Sequence, residues 1–307
     1  MSLENQRDLR CLPYTTPRSR WLAYLQVCRK WYPLFEEQLY TNVKLDKAGS
    51  LELFMETIER HLRFLPLVRE FYLRDFVPWQ SHANFFSLRF TNLEELHLHT
   101  LFVVDITDHW KECARTVKTL RLTGVEFMDT EALDLFMGPF QSLEHLYLNG
   151  IMPTSQDHPI RMLELVGKNL ETFSAKSIFA PSLIPIFASL PKVKEIHLQV
   201  SSRAAWRDIT PQHVPQSLQM VSFQSWHHDF LLAFLAQLVD PAFLPKLKHL
   251  PIVDWKPERP GMYSMLETEA FKLLRIVATD RLRRRGIYWT KDEALASVFR
   301  NTEHIRP

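Results

Sequence analysis

The sequence predicts an α/β chain built as a curved repeat solenoid, with parallel strands lining its concave face and helical segments behind them. Two observations carry this expectation. The pattern apolar-x-x-apolar-x-apolar returns nine times at nearly even intervals, and the stretches between its copies have helical periodicity. A third observation is compositional: 46% hydrophobic and 23% charged residues is the balance of a folded chain and excludes wholesale disorder.

The clearest copies are Leu93, Leu96, Leu98; Val117, Leu120, Leu122; and Leu143, Leu146, Leu148. Others are Val193, Ile196, Leu198; Leu218, Val221, Phe223; and Leu247, Leu250, Ile252. Weaker copies are Val68, Phe71, Leu73 and Leu170, Phe173, Ala175, and Tyr40, Val43, Leu45 keeps the register. First positions are separated by 28, 25, 24, 26, 27, 23, 25 and 29 residues, the spacing of leucine-rich repeats. Side chains alternate along an extended segment, so the fourth and sixth positions face the core and the third, fifth and seventh face outward. Each copy is therefore one short strand.

The spacers read as helices. Ser50 to Pro66 places Leu51, Phe54, Met55, Ile58, Leu62 and Leu65 on one stripe, which Pro66 is expected to end. Leu133, Phe136 and Met137 form another apolar face, and Pro159 to Gly167 and Pro181 to Leu190 repeat the idea, with a proline suited to a first turn. A connection holding a helix returns the chain to the same end of the sheet, so the strands are expected to be parallel and stacked in order.

Ahead of the array, Trp21 to Leu45 has amphipathic helical spacing. Its run Leu25-Gln26-Val27-Cys28-Arg29-Lys30-Trp31, followed by Leu39-Tyr40 and Val43-Lys44-Leu45, resembles the second half of an F-box, as in fungal F-box proteins with leucine-rich repeats. The resemblance implies a non-catalytic substrate-recognition subunit of an SCF-type, cullin-RING ubiquitin ligase. Its partners would be the Skp adaptor and an unknown protein substrate. Carried over by position, Leu12 and Pro13 match the opening Leu-Pro, and Leu22, Leu25, Val27, Cys28, Trp31 and Leu34 match the later adaptor-binding positions. One departure stands out: Tyr14 to Arg20 is too short and polar for the usual first helix, which makes the box truncated or degenerate. The alternative is a repeat scaffold with no ligase role. The expected divisions are 1–39, an F-box-like helical segment; 40–263, the repeats; and 264–307, a helical cap closed in part by Gly286. The basic run Arg281, Arg283, Arg284, Arg285 reads as a helix end favoured by its dipole, or as an import or acidic-partner patch.

Chemistry-bearing motifs are sparse. The net charge is +2, from 37 basic and 35 acidic residues, so no overall field favours nucleic acid or a membrane surface. Seven scattered glycines form no phosphate-cradling loop, and Cys11, Cys28 and Cys113 form no CxxC pair. His227-His228-Asp229 is a poor chelate, because neighbouring side chains diverge. The sequence thus predicts no enzyme, cofactor or metal. An N-terminus without an apolar core and the lack of a long apolar run predict a cytoplasmic or nuclear protein. Recognition is expected on the outward strand positions, aromatic, histidine-bearing and mildly basic in the first half and more neutral after. The candidate substrate contacts are Tyr72, His97, Arg121, His145, Tyr147 and His197, with Tyr72, Arg121 and Tyr147 as anchors because Tyr and Arg are enriched among binding hot spots.

Overall fold

In the first eight copies the alternation of leucine-like and polar residues becomes a strand. The computed structural model describes residues 32–46, 49–74, 88–103, 106–150, 158–178, 182–200, 206, 208–225, 233–234, 236–238, 240, 242–250, 276–277 and 280–287. Its elements are, in chain order, α1 (Tyr32–Thr41), β1 (Asn42–Leu45), α2 (Ser50–Arg60), β2 (Glu70–Arg74), β3 (Glu95–His99), β4 (Phe102–Val103) and α3 (Asp108–Ala114). There follow β5 (Thr119–Thr123), β6 (Glu126–Phe127), α4 (Thr130–Met137), β7 (His145–Asn149), α5 (His158–Val166), β8 (Thr172–Ile178), α6 (Ile184–Ala188), β9 (Glu195–Val200) and β10 (Met220–Ser225).

The result is a mixed α/β fold around an eight-stranded sheet in the order β1-β2-β3-β5-β7-β8-β9-β10, with every pairing parallel. The register matches copy to copy: Leu96 lies beside Leu120, Leu120 beside Leu146 and Leu146 beside Phe173. The sheet is open and is neither curled nor closed, which corrects the expected curvature. Curvature needs a helical layer wider than the strand layer. Helices are about 10 Å across and strands about 4.8 Å apart. Here several spacers hold only short helices, such as the five-residue α6, or 3-10 turns such as Pro211–His213, which weakens the wedge.

The fourth and sixth positions among the described residues are buried, Leu96, Leu120 and Leu146 completely, and they belong to one continuous core running from Val43 to Ile287. Copies are locked by backbone as well as packing. From the second copy to the eighth, the carbonyl of the second-position residue accepts two amides from the next copy: Glu94 O from Lys118 and Thr119, Lys118 O from Glu144 and His145, Glu171 O from Lys194 and Glu195. Polar side chains at the corner before the strand add a second ladder: Asn92 donates to Pro66 O (2.7 Å), Thr116 to Leu93 O (2.8 Å) and Ser217 to Val193 O (2.7 Å). These bonds satisfy carbonyls that the turn leaves behind, which is why small polar residues recur there. After the strand, Thr100, Gly124 and Gly150 occupy equivalent places and all take left-handed φ, between 56° and 59°. The short pair β4–β6 follows two of these turns.

The helical side departs from expectation in places. α2 stops at Arg60, where His61 (φ −139°, ψ 63°) breaks the helical path, and Pro66 lies inside a 3-10 helix, Leu62–Leu67, instead of ending an α-helix. The shift of phase turns Leu62 outward, 66% exposed, and buries Phe64, which the 3.6-residue stripe leaves out. Leu133, Phe136 and Met137 face the core as expected. Gly167 serves close packing: a Cβ there would lie 2.2 Å from the Ser189 carbonyl oxygen.

Both ends differ in detail. Tyr40 is the penultimate residue of α1, so the division at 39/40 falls inside a helix; its ring stacks on Phe64 at 4.1 Å. The ninth copy forms no full strand among the described residues. It keeps the ladder, with Lys248 and His249 amides donating to Gln219 O and a single parallel bridge between Met220 and His249. Toward the C-terminus, Gly286 (φ 70°) and the Ile287 amide bonded to Leu282 O form a Schellman-type helix end. The Arg285 guanidinium donates to the carbonyls of Phe243 (3.1 Å) and Leu244 (2.6 Å), and Arg284 pairs with Asp280 at 2.7 Å. That basic run therefore has structural work, tying the last described helix to the end of the array.

Candidate protein-binding face

Parallel strands in register convert sequence positions into rows across the outer face of the sheet. The fifth-position row runs Lys44, Tyr72, His97, Arg121, Tyr147, Ser174, His197, Ser222. The third-position row runs Glu70, Glu95, Thr119, His145, Thr172, Glu195, Met220. Of the expected contacts, five thus share one row and His145 stands in the neighbouring one.

Within the fifth row the side chains order one another. The Lys44 ammonium lies 5.3 Å from the centre of the Tyr72 ring, and Tyr72 meets His97 edge-on at 6.1 Å. The Arg121 guanidinium lies over the Tyr147 ring at 3.8 Å, a cation–π contact that holds both in place before any ligand arrives. Burial raises the Tyr147 phenol above its ordinary value, opposed by Arg121. Burial, reinforced by the charge of Arg121, lowers His97, while its Nε2 approaches Glu95 at 3.4 Å.

The two rows enclose a cup of about 380 Å³ at the centre of the sheet. Its floor is Thr119, His145 and Thr172; Glu95 and Glu195 stand at opposite ends; Arg121 with Tyr147 forms one side, and Glu171 with Lys194 the other. The volume is at the small end of the roughly 300–1,000 Å³ of ligand pockets. Lys194 donates to Glu171 at 2.6 Å, and that bond holds the Glu171 carboxyl below its usual range. Arg121 Nε and His145 Nδ1 are buried atoms without a hydrogen-bond partner among the described residues.

Three expectations are corrected here. The first half of the face is not mildly basic in formal charge, since Glu70 and Glu95 offset Arg74 and Arg121 there. His197 is 5% exposed and is no surface contact, and burial lowers its pKa to about 4. The outward positions Thr119, Thr172, Ser174 and Ser222 are buried as well. Sequence reasoning missed Glu171 and Lys194 as cup residues, because they occupy the second position, between the core and outward sets. The ion-pair signal was the acid and the base recurring at that position in consecutive copies.

Leu12, Pro13, Leu22, Leu25, Val27, Cys28 and Trp31, the expected adaptor contacts, lie outside the described residues, as does His227-His228-Asp229; Leu34 falls within α1. Cys113 is buried and its thiol is pushed up to about 12, so it is protonated at neutral pH. Among the described residues no group of His, Cys, Asp and Glu is arranged to hold a metal ion, and no helix is long and apolar enough to cross a membrane. No protein-family model matches the chain, and no curated protein matches it.

Proposed function

We propose that the chain is a leucine-rich-repeat solenoid whose outer face binds a protein, and that it acts as the non-catalytic substrate-recognition subunit of an SCF-type ubiquitin ligase. The observation that carries the binding half is the ordered row Tyr72, His97, Arg121, Tyr147 bordering a cup, with Arg121 fixed on Tyr147 at 3.8 Å. Preformed aromatic and arginine anchors on a rigid sheet lower the ordering cost of association, which is what a protein-binding surface needs. The even repeat, with one strand in each of the first eight copies and their core positions paired side by side, supports the solenoid. The ligase half rests on the resemblance of Leu25 to Trp31, with Leu12 and Pro13, to an F-box.

A second reading, a repeat scaffold with no adaptor contact, is favoured by one observation. α1 runs directly into β1 and stacks Tyr40 on Phe64, so the end of the F-box-like segment is used as a structural cap. Purified full-length chain mixed with the Skp adaptor separates the two. Co-elution at micromolar concentration, lost on Trp31→Ala, supports the ligase subunit. Absence of binding at that concentration leaves the scaffold.

A further inference from the structure

We propose that the cup on the outer face receives a basic side chain, lysine or arginine, presented by the protein that the face binds. The inference rests on the protein-binding reading above and adds the chemistry of the ligand.

Charge balance decides the class of ligand. Of the five lysine, arginine and glutamate side chains around the cup, Lys194 and Glu171 cancel each other across a 2.6 Å ion pair. Two carboxylates remain, Glu95 and Glu195, against one cation, Arg121. The histidines do not change this count at neutral pH near Glu95: burial and Arg121 both keep His97 neutral, so its contact with Glu95 at 3.4 Å leaves the carboxylate charge in place. Glu195 has no cationic partner among the described residues. The cup therefore holds one negative charge in excess.

Its shape matches that excess. Glu95 and Glu195 lie four strand spacings apart in the sheet order, roughly 19 Å between their backbones. Between them the floor offers the hydroxyls of Thr119 and Thr172, which accept hydrogen bonds from an ammonium or guanidinium. A carboxylate or phosphate entering there would add to the excess negative charge, and a neutral apolar side chain would desolvate the glutamates without replacement. One monovalent cation restores neutrality, and its long aliphatic stem fits a cavity of about 380 Å³. Arg121 stays committed to the Tyr147 ring and walls one side of the entering group.

The test uses the immobilised full-length chain and synthetic, end-blocked nonapeptide libraries that are degenerate except at a fixed central residue: lysine, arginine, citrulline, norleucine, glutamate or phosphoserine. The wild type is expected to retain the lysine and arginine libraries about tenfold over citrulline and norleucine, with the preference shrinking as salt rises. The isosteric double variant Glu95→Gln/Glu195→Gln, both at half-exposed positions, is expected to erase the preference at an unchanged melting temperature. Each single variant, should the pair fail to fold, is expected to reduce it in part. Equal retention of all libraries, a preference for glutamate or phosphoserine, or an undiminished preference in a folded glutamine variant overturns the proposal. The protein-binding reading falls on a different result, unchanged partner capture by Arg121→Ala/Tyr147→Ala.

Discussion

Gly167→Ala probes how closely consecutive copies are packed. Read locally the change is favourable, because alanine has less freedom to lose on folding and stabilises by about 0.4–1 kcal/mol where it fits. Gly167 does not have a left-handed φ, so its backbone accepts alanine. The next copy does not. The new Cβ would lie 2.2 Å from the Ser189 carbonyl oxygen, 3.1 Å from its carbon and 3.4 Å from Leu190 Cδ2. Relief requires about 1 Å of backbone movement at the end of α6, and Leu190 is fully buried, so that segment cannot simply swing away. Overpacking of this kind costs ~1–3 kcal/mol, with a backbone contact toward the upper end. The net expectation is a loss of about 2 kcal/mol, or roughly 3 °C in melting temperature for a chain of this size. Differential scanning fluorimetry and urea midpoints measure it. A melting temperature equal to or above wild type would refute the close approach of α5 and α6.

Further predictions concern the core and pH. Leu146→Ala, a fully buried residue set between Leu120 and Phe173, is expected to cost ~2–5 kcal/mol by urea titration, whereas Leu62→Ala, 66% exposed, stays within ~0.5 kcal/mol; equal effects would mean the register is wrong. His197 is held neutral at about 4 against an ordinary 6.5, so the unfolded chain binds the proton first as pH falls. Its stabilisation is complete above pH ~6.5 and lost on acidification toward pH ~4, a loss of ~3 kcal/mol in urea midpoints. Burial lowers His97 and His99 as well, which adds to the loss in the same direction. His197→Gln is expected to flatten this slope, and an identical slope in the variant would place the acid sensitivity elsewhere.

How far the sequence could be read follows from the physics of each position. The core positions were legible because period-two alternation encodes them locally, and Leu96, Leu120, Leu146 and Ile196 lie where the pattern puts them. The burial of Thr119, Thr172, Ser174 and His197 was not, because it depends on neighbours one copy away in both directions. Leu62 and Phe64 exchanged places through a local change from α to 3-10 geometry, which the 3.6-residue stripe does not register. The left-handed turn after the strand left a partial trace, glycine at 124 and 150, but Thr100 fills the equivalent place in the preceding copy. In the site, Tyr72, His97, Arg121 and Tyr147 were readable as one row, since parallel register follows from the repeat. The cup was not, because Glu171 and Lys194 enter it from a position that alternation assigns to neither face.

Truncating the Arg121–Tyr147 pair tests the proposed capture of a protein by the outer face. Arg121 Nε donates to no partner and no carboxylate pairs with Arg121 among the described residues, so Arg121→Ala/Tyr147→Ala orphans no buried ionic group and is expected to stay folded by circular dichroism. Quantitative proteomics of partners retained by the wild type and by this variant, expressed at equal level with the proteasome inhibited, is the measurement. Partners enriched by the wild type are expected to fall about tenfold or more in the variant. An unchanged partner profile from the folded variant would contradict it.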